Sequence, residues 1–116
     1  MEAEISRAVA AHGMWKARLR NAIDSGSFDG NVETVKNCHL CEFGKWLDSV
    51  EQSKRDAHYR DVARLHEKFH GVAAKVAKLV VDKKKDEANS LLSMSGEFTV
   101  VSSELTRAMM NWKKAL

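Results

Sequence analysis

The sequence predicts an all-α fold, an antiparallel four-helix bundle forming one domain over residues 1–116, and three observations carry that expectation. There is no proline and there are only six glycines, so the two residues that interrupt helices most strongly are missing or scarce. Apolar residues recur at three- and four-residue spacing over long stretches, which puts them on one face of a helix. A chain of 116 residues is long enough for one core of several helices and too short for two.

The first helix carries Ile5, Ala8, Val9, His12, Trp15, Leu19, Ala22 and Ile23 on one stripe. Ser25-Gly26 ends the periodicity, and Asn31 is placed to cap a short new helix. Residues 32–48 read as short helical pieces that take their apolar contacts from Phe43, Trp46 and Leu47, with Gly44 allowing a close approach. Ser49 followed by Gln52 matches a capping box and predicts a helix start near Val50. A long third helix then carries Tyr59, Val62, His66, Phe69, Ala73, Val76 and Val80. After a turn at Lys83-Lys84-Lys85, a last stripe runs through Leu91, Met94, Phe98, Val101, Leu105, Met109 and Trp112. The Cys-bearing piece thus lies between the first and third long helices.

Doubled apolar pairs at Val80-Val81, Leu91-Leu92, Val100-Val101 and Met109-Met110 make the stripes wider than one seam requires. A homodimer packed through the last two helices would use that width, as would broad burial in a monomer.

The 19 basic and 16 acidic residues are interspersed, as on solvated helix faces, and only the lysine triplet forms a run. No basic stripe interleaved with aromatic residues exists, which argues against nucleic-acid binding. Met1-Glu2-Ala3-Glu4 is acidic with no apolar run behind it. The most apolar segment, Val72 to Val81, is interrupted by Lys75 and Lys78 and is too short to span a bilayer. The expectation is a soluble cytoplasmic chain, where two cysteines are read as a metal or redox site before a structural disulfide.

The chemistry lies in the histidines and in Cys38-His39-Leu40-Cys41-Glu42-Phe43-Gly44-Lys45-Trp46. His66 and His70 are four apart on one helix, the spacing at which two imidazoles grip one ion. His12 sits on the apolar stripe of another helix, and a bundle would bring it to the same point as Cys41. Three nitrogens and one thiolate make a tetrahedral donor set suited to zinc. The plain alternative is a set of hydrogen-bonded core histidines, against which stands the cost of burying such groups unpartnered, about 1–3 kcal/mol each. His39 and His58 read as surface residues.

Cys41-Glu42-Phe43-Gly44-Lys45-Trp46 resembles the Cys-x-Phe/Leu-Gly-x-Trp signature of the bacterial chemoreceptor zinc-binding (CZB) domain. His12 with Trp15 is similar to the first-helix histidine of that family, and His66-x-x-x-His70 to its paired histidines. The resemblance implies a helical zinc sensor whose ligands are His12, Cys41, His66 and His70. Such domains are regulatory segments of chemoreceptors or diguanylate cyclases, in cis or in trans, often dimeric. They are non-enzymatic and respond to zinc or to oxidation of the zinc-bound cysteine by hypochlorous acid.

Cys38 forms a C-x-x-C with Cys41. No second C-x-x-C makes a zinc ribbon and no βαβ pattern makes a thioredoxin-like pair, so Cys38 is held as an alternate or redox thiol. Other function classes are a hemerythrin-like di-iron bundle, which requires bridging carboxylates, and a purely structural dimerisation module. A zinc hydrolase would need an open coordination position and a base, for which Glu67 is the nearest candidate.

Overall fold

In the computed structural model, which describes residues 1–116, the chain is entirely helical apart from turns. Its elements are α1 (Glu2–Gly13), α2 (Trp15–Ser25), α3 (Val32–Lys36), α4 (Glu42–Ser49), a 3-10 turn at Gln52–Lys54, α5 (Ala57–Val81), α6 (Lys85–Leu92) and α7 (Glu97–Ala115). The all-α expectation stands. The helices are more numerous and more broken than a plain four-helix bundle, and each break has a local cause.

The first stripe is divided at Met14, which stays in the right-handed region and is exposed. α1 and α2 therefore follow one another with only a slight interruption, after Gly13 has lowered helix propensity. α2 stops at Gly26, whose φ of 75° suits a residue without Cβ. The Asn31 side chain caps α3 by accepting from the Thr34 N–H, as its position predicts.

The helix start predicted near Val50 is corrected. The Ser49 hydroxyl donates back to the Trp46 carbonyl at 2.6 Å and closes α4 instead of opening a helix. The true cap of α5 is Asp56, whose carboxylate accepts from the Tyr59 N–H. The last stripe is likewise two helices. Met94, expected on the buried face, lies in the turn between α6 and α7 and is 94% exposed.

α5 is the central element, 25 residues and about 37 Å long at 1.5 Å per residue. Tyr59 meets Trp112 and Phe69 meets Phe98, so α7 runs antiparallel to it. The Tyr59 hydroxyl donates to the Leu47 carbonyl of α4. His70 reaches the Val35 carbonyl of α3, so the α3–α4 segment also descends alongside α5. The core is built from Val62, Phe69 and Val76 of α5, Phe98, Leu105 and Trp112 of α7, and Ile5, Leu19 and Ile23 of α1 and α2. Each such side chain contributes about 1.5–3 kcal/mol on burial.

Of the doubled pairs, Val80, Leu92, Val101 and Met109 face the core, while Val81, Val100 and Met110 are exposed. No helix is long and apolar enough to cross a membrane.

Candidate metal centre

Three segments deliver four donor side chains to one point. His12 comes from the end of α1, Cys41 from the cap position of α4, and His66 and His70 from successive turns of α5. The Cys41 sulfur lies 3.3 Å from His66 Nε2, which lies 3.1 Å from both His12 Nε2 and His70 Nε2. The four ligand atoms all fall within 4.8 Å of one another. For comparison, zinc–nitrogen bonds of about 2.0–2.1 Å give a tetrahedral edge of about 3.3 Å.

Hydrogen bonding on the far side of the rings fixes which nitrogen faces inward. His12 Nδ1 is 2.8 Å from the Ala8 carbonyl, and His70 Nδ1 is 2.8 Å from the Val35 carbonyl. A carbonyl only accepts, so each Nδ1 carries the hydrogen and each Nε2 presents a lone pair. Both lone pairs aim at His66 Nε2, which has at most one hydrogen to give. At least one of the two 3.1 Å contacts therefore sets lone pair against lone pair, an arrangement that a cation relieves. The residues fit a zinc ion by this test and by donor type, since nitrogen and sulfur are the atoms zinc takes.

The electrostatics keep the imidazoles ready to bind. Burial lowers the pKa of His12 to about 4, and burial together with its histidine neighbours lowers that of His66 to about 2. Burial also lowers His70. All three are neutral at pH 7 and have free lone pairs. Burial raises the Cys41 thiol, against the pull of backbone N–H groups at the start of α4. The Gly44 N–H donates to the Cys41 sulfur at 3.3 Å, while the thiol lies 3.6 Å from the Cys38 carbonyl.

Gly44 itself is required. A Cβ there would stand 1.8 Å from the Cys38 carbonyl oxygen, so only glycine lets the 38–41 turn fold onto the helix it precedes. Phe43 and Phe69 pack edge-on against His12, and Phe43 also against His66. Their rings limit water around the donors and hold the imidazole planes.

All four residues singled out in the sequence as one constellation, His12, Cys41, His66 and His70, are thus brought together. Cys38 is buried in the same turn but outside the cluster. His39 is exposed and pairs with Asp48 at 2.9 Å, and His58 is half-buried at the start of α5. The cluster contains no carboxylate, so it lacks the bridging groups of a di-iron site. The carbonyls of Ala8 and Val35 were not readable from the sequence, because every residue offers a carbonyl.

No curated protein and no solved structure is detectably similar to the chain. The family model of the chemoreceptor zinc-binding domain matches residues 12–77, an interval that opens on His12 and contains Cys41, His66 and His70. The chain therefore belongs to the chemoreceptor zinc-binding domain family, and zinc is the ion its site suits.

Proposed function

We propose that the protein is a regulatory sensory domain that holds one zinc ion through His12, Cys41, His66 and His70. It reports zinc level, or oxidation of Cys41, to a bacterial signalling output in the cytoplasm. The observation that carries this reading is the convergence of one thiol and three neutral imidazoles from α1, the turn before α4, and α5.

Bound zinc holds the Cys41 sulfur as thiolate and gives the four donors a common centre. His66 and His70 stand on a well-packed helix and form the fixed half of the site. Cys41 sits at the end of a turn that α4 follows, and it is the movable half. When Cys41 is released or its sulfur oxidised, that turn loses its tie to α5, and the free energy of binding becomes a conformational bias.

α4 connects this event to the rest of the molecule. Phe43 stacks on Trp46 with ring centroids 5.6 Å apart, and Trp46 rests on Trp112 of α7 at the same separation. A shift of α4 is felt at the C-terminal turns of α7 through those rings. The output is a chemoreceptor signalling module or a diguanylate cyclase, and no catalytic step belongs to the domain itself. Two copies pair through the last two long helices, α5 and α7, by their outward apolar residues Val81, Val100 and Met110, in the manner of a helical bundle extended across a two-fold axis.

Zinc stoichiometry of the purified protein tests the reading. Close to one equivalent is expected in the wild type and in Cys38→Ser, and much less in Cys41→Ser and His66→Ala. Wild-type protein that takes up no zinc after reduction and reloading would make the histidines ordinary core residues. Sedimentation that finds only monomer at high micromolar concentration would remove the dimer.

A further inference from the structure

The two ends of α4 are held by attachments of different kinds. At its start the Cys41 sulfur faces His66 at 3.3 Å, a contact whose strength depends on the ion the two share. At its end the carbonyls of Leu47, Asp48 and the capping Val50 are taken by side chains from the entry to α5. The Tyr59 hydroxyl donates to the Leu47 carbonyl at 2.9 Å, and this bond is buried. Arg55 donates from Nη2 to the Asp48 carbonyl at 3.1 Å and from Nε to the Val50 carbonyl at 3.0 Å.

The last carbonyls of a helix have no partner within it, and a guanidinium beside them also meets the negative end of the helix dipole. The Arg55 guanidinium lies over the Tyr59 ring at 5.0 Å, and that ring meets Trp112 edge-on at 6.0 Å. The clamp is thereby braced against α7. Neither residue belongs to the four-donor cluster.

The two attachments therefore fail under different conditions. Loss of zinc weakens the Cys41 end and leaves the clamp intact, because no ligand of the ion takes part in it. α4 has 8 residues and is about 12 Å long at 1.5 Å per residue. A rod held at one end moves most at the other, so Cys41 and Phe43 swing away from His66 and His12. Trp46, next to the clamped Leu47, turns in place against Trp112.

We infer that Arg55 and Tyr59 are positioning residues of the metal centre, acting through Cys41. Given the four-ligand reading above, on which this rests, they make the end of α4 a fixed pivot. The helix tilts about that pivot when Cys41 is released, and it stands ready to return Cys41 to His66 when zinc arrives. Without the clamp, α4 of the zinc-free protein spends part of its time away from α5, and apparent affinity falls by the fraction of molecules still in place.

The test is a mutant cycle for zinc affinity, by chelator competition on the reduced full-length protein, joined to hydrogen exchange of the α4 amides with and without zinc. Tyr59→Phe keeps the ring against Trp112 and removes one bond, and Arg55→Gln removes the guanidinium. Together they should weaken zinc binding about tenfold, as for other supporting residues. In Cys41→Ser, which binds through imidazoles alone, the same pair should weaken it by less than about twofold, because the clamp acts through Cys41. In the wild type, zinc removal should speed exchange at the Gly44 and Lys45 N–H groups, which bond to the sulfur and carbonyl of Cys41. The Val50 N–H, bonded to the Leu47 carbonyl, should keep its protection, and it should lose it in the double variant.

Unchanged affinity in the double variant would overturn the clamp and leave the zinc site standing. So would an equal loss in the Cys41→Ser background, which would mark a general weakening of the bundle. Protection at Val50 that falls with zinc removal as far as that at Gly44 would overturn the pivot, since α4 would then be released whole. Wild-type protein that binds no zinc would instead remove the four-ligand centre, and the positioning role with it.

Discussion

Zinc binding should release one proton from this site, and the pH dependence follows from the four donors. His12 and His66 are neutral well below pH 7, because burial holds them at about 4 and about 2, and burial holds His70 below its ordinary value, so that it too is neutral at pH 7. They have nothing to release at neutral pH. The Cys41 thiol is raised by burial and is protonated throughout that range, yet it binds as thiolate. Affinity should therefore rise about tenfold per pH unit between pH 6 and 8, or about 2.7 kcal/mol over the interval. Four donors with ordinary solution values would behave differently, with log affinity steepening towards a slope of about four below pH 6 as each imidazole competed for a proton. The measurement is zinc affinity against a chelator of known pH dependence, from pH 5 to 8, together with calorimetry in buffers of different ionisation enthalpy to count protons. Cys41→Ser should flatten the profile. A slope of two or more above pH 6, or no proton released at pH 7.5, would refute the assignment of neutral imidazoles and a protonated thiol.

Three further outcomes follow, two from glycines and one from the buried histidines. Gly44→Ala sets a Cβ 1.8 Å from the Cys38 carbonyl, so the turn must move off α4 and carry the Cys41 sulfur from His66. Zinc affinity should fall by about ten- to a hundredfold in a chelator competition, as for other supporting residues. Gly71→Ala meets nothing within 4 Å on the exposed side of α5 and should keep full affinity while stabilising the fold by about 0.5–1 kcal/mol in urea unfolding. Zinc-free protein should remain helical at pH 7 on the strength of its core and lose stability in acid. Below pH 6.5 the unfolded chain takes up protons that buried His12 and His66 refuse, so their contribution is fully present above 6.5 and declines as pH falls. At pH 5.5 the two together cost about 3 kcal/mol, read as a lower urea midpoint than at pH 7.5. Equal midpoints would contradict it, as would a zinc-free protein without helical circular dichroism at pH 7.

What the sequence disclosed about this site follows from how far apart in the chain its causes lie. His66 and His70 were legible together because a single helical period fixes their relation, and α5 is long and regular enough to honour it. His12 and Cys41 could be joined to them only by assuming that the segments pack as a bundle, since nothing within either segment points to the other. The helix boundaries failed where two local signals competed. Ser49 and Gln52 satisfy a capping pattern, but the Ser49 hydroxyl is taken by the Trp46 carbonyl and Asp56 supplies the stronger cap. Met94 keeps the apolar period of its neighbours, yet the chain turns through Gly96 and leaves it in solvent. Gly44 shows the opposite case. It was visible as a place of close approach, but the partner, the Cys38 carbonyl, becomes apparent only when the 38–41 turn is folded. That contact joins the two cysteines in function: the residue that is not among the four donors supplies the backbone against which the donor thiol is set. The spacing C-x-x-C is thus explained without a second sulfur ligand, because a turn this tight sets Cys41 at the helix start and leaves Cys38 buried outside the four-donor cluster.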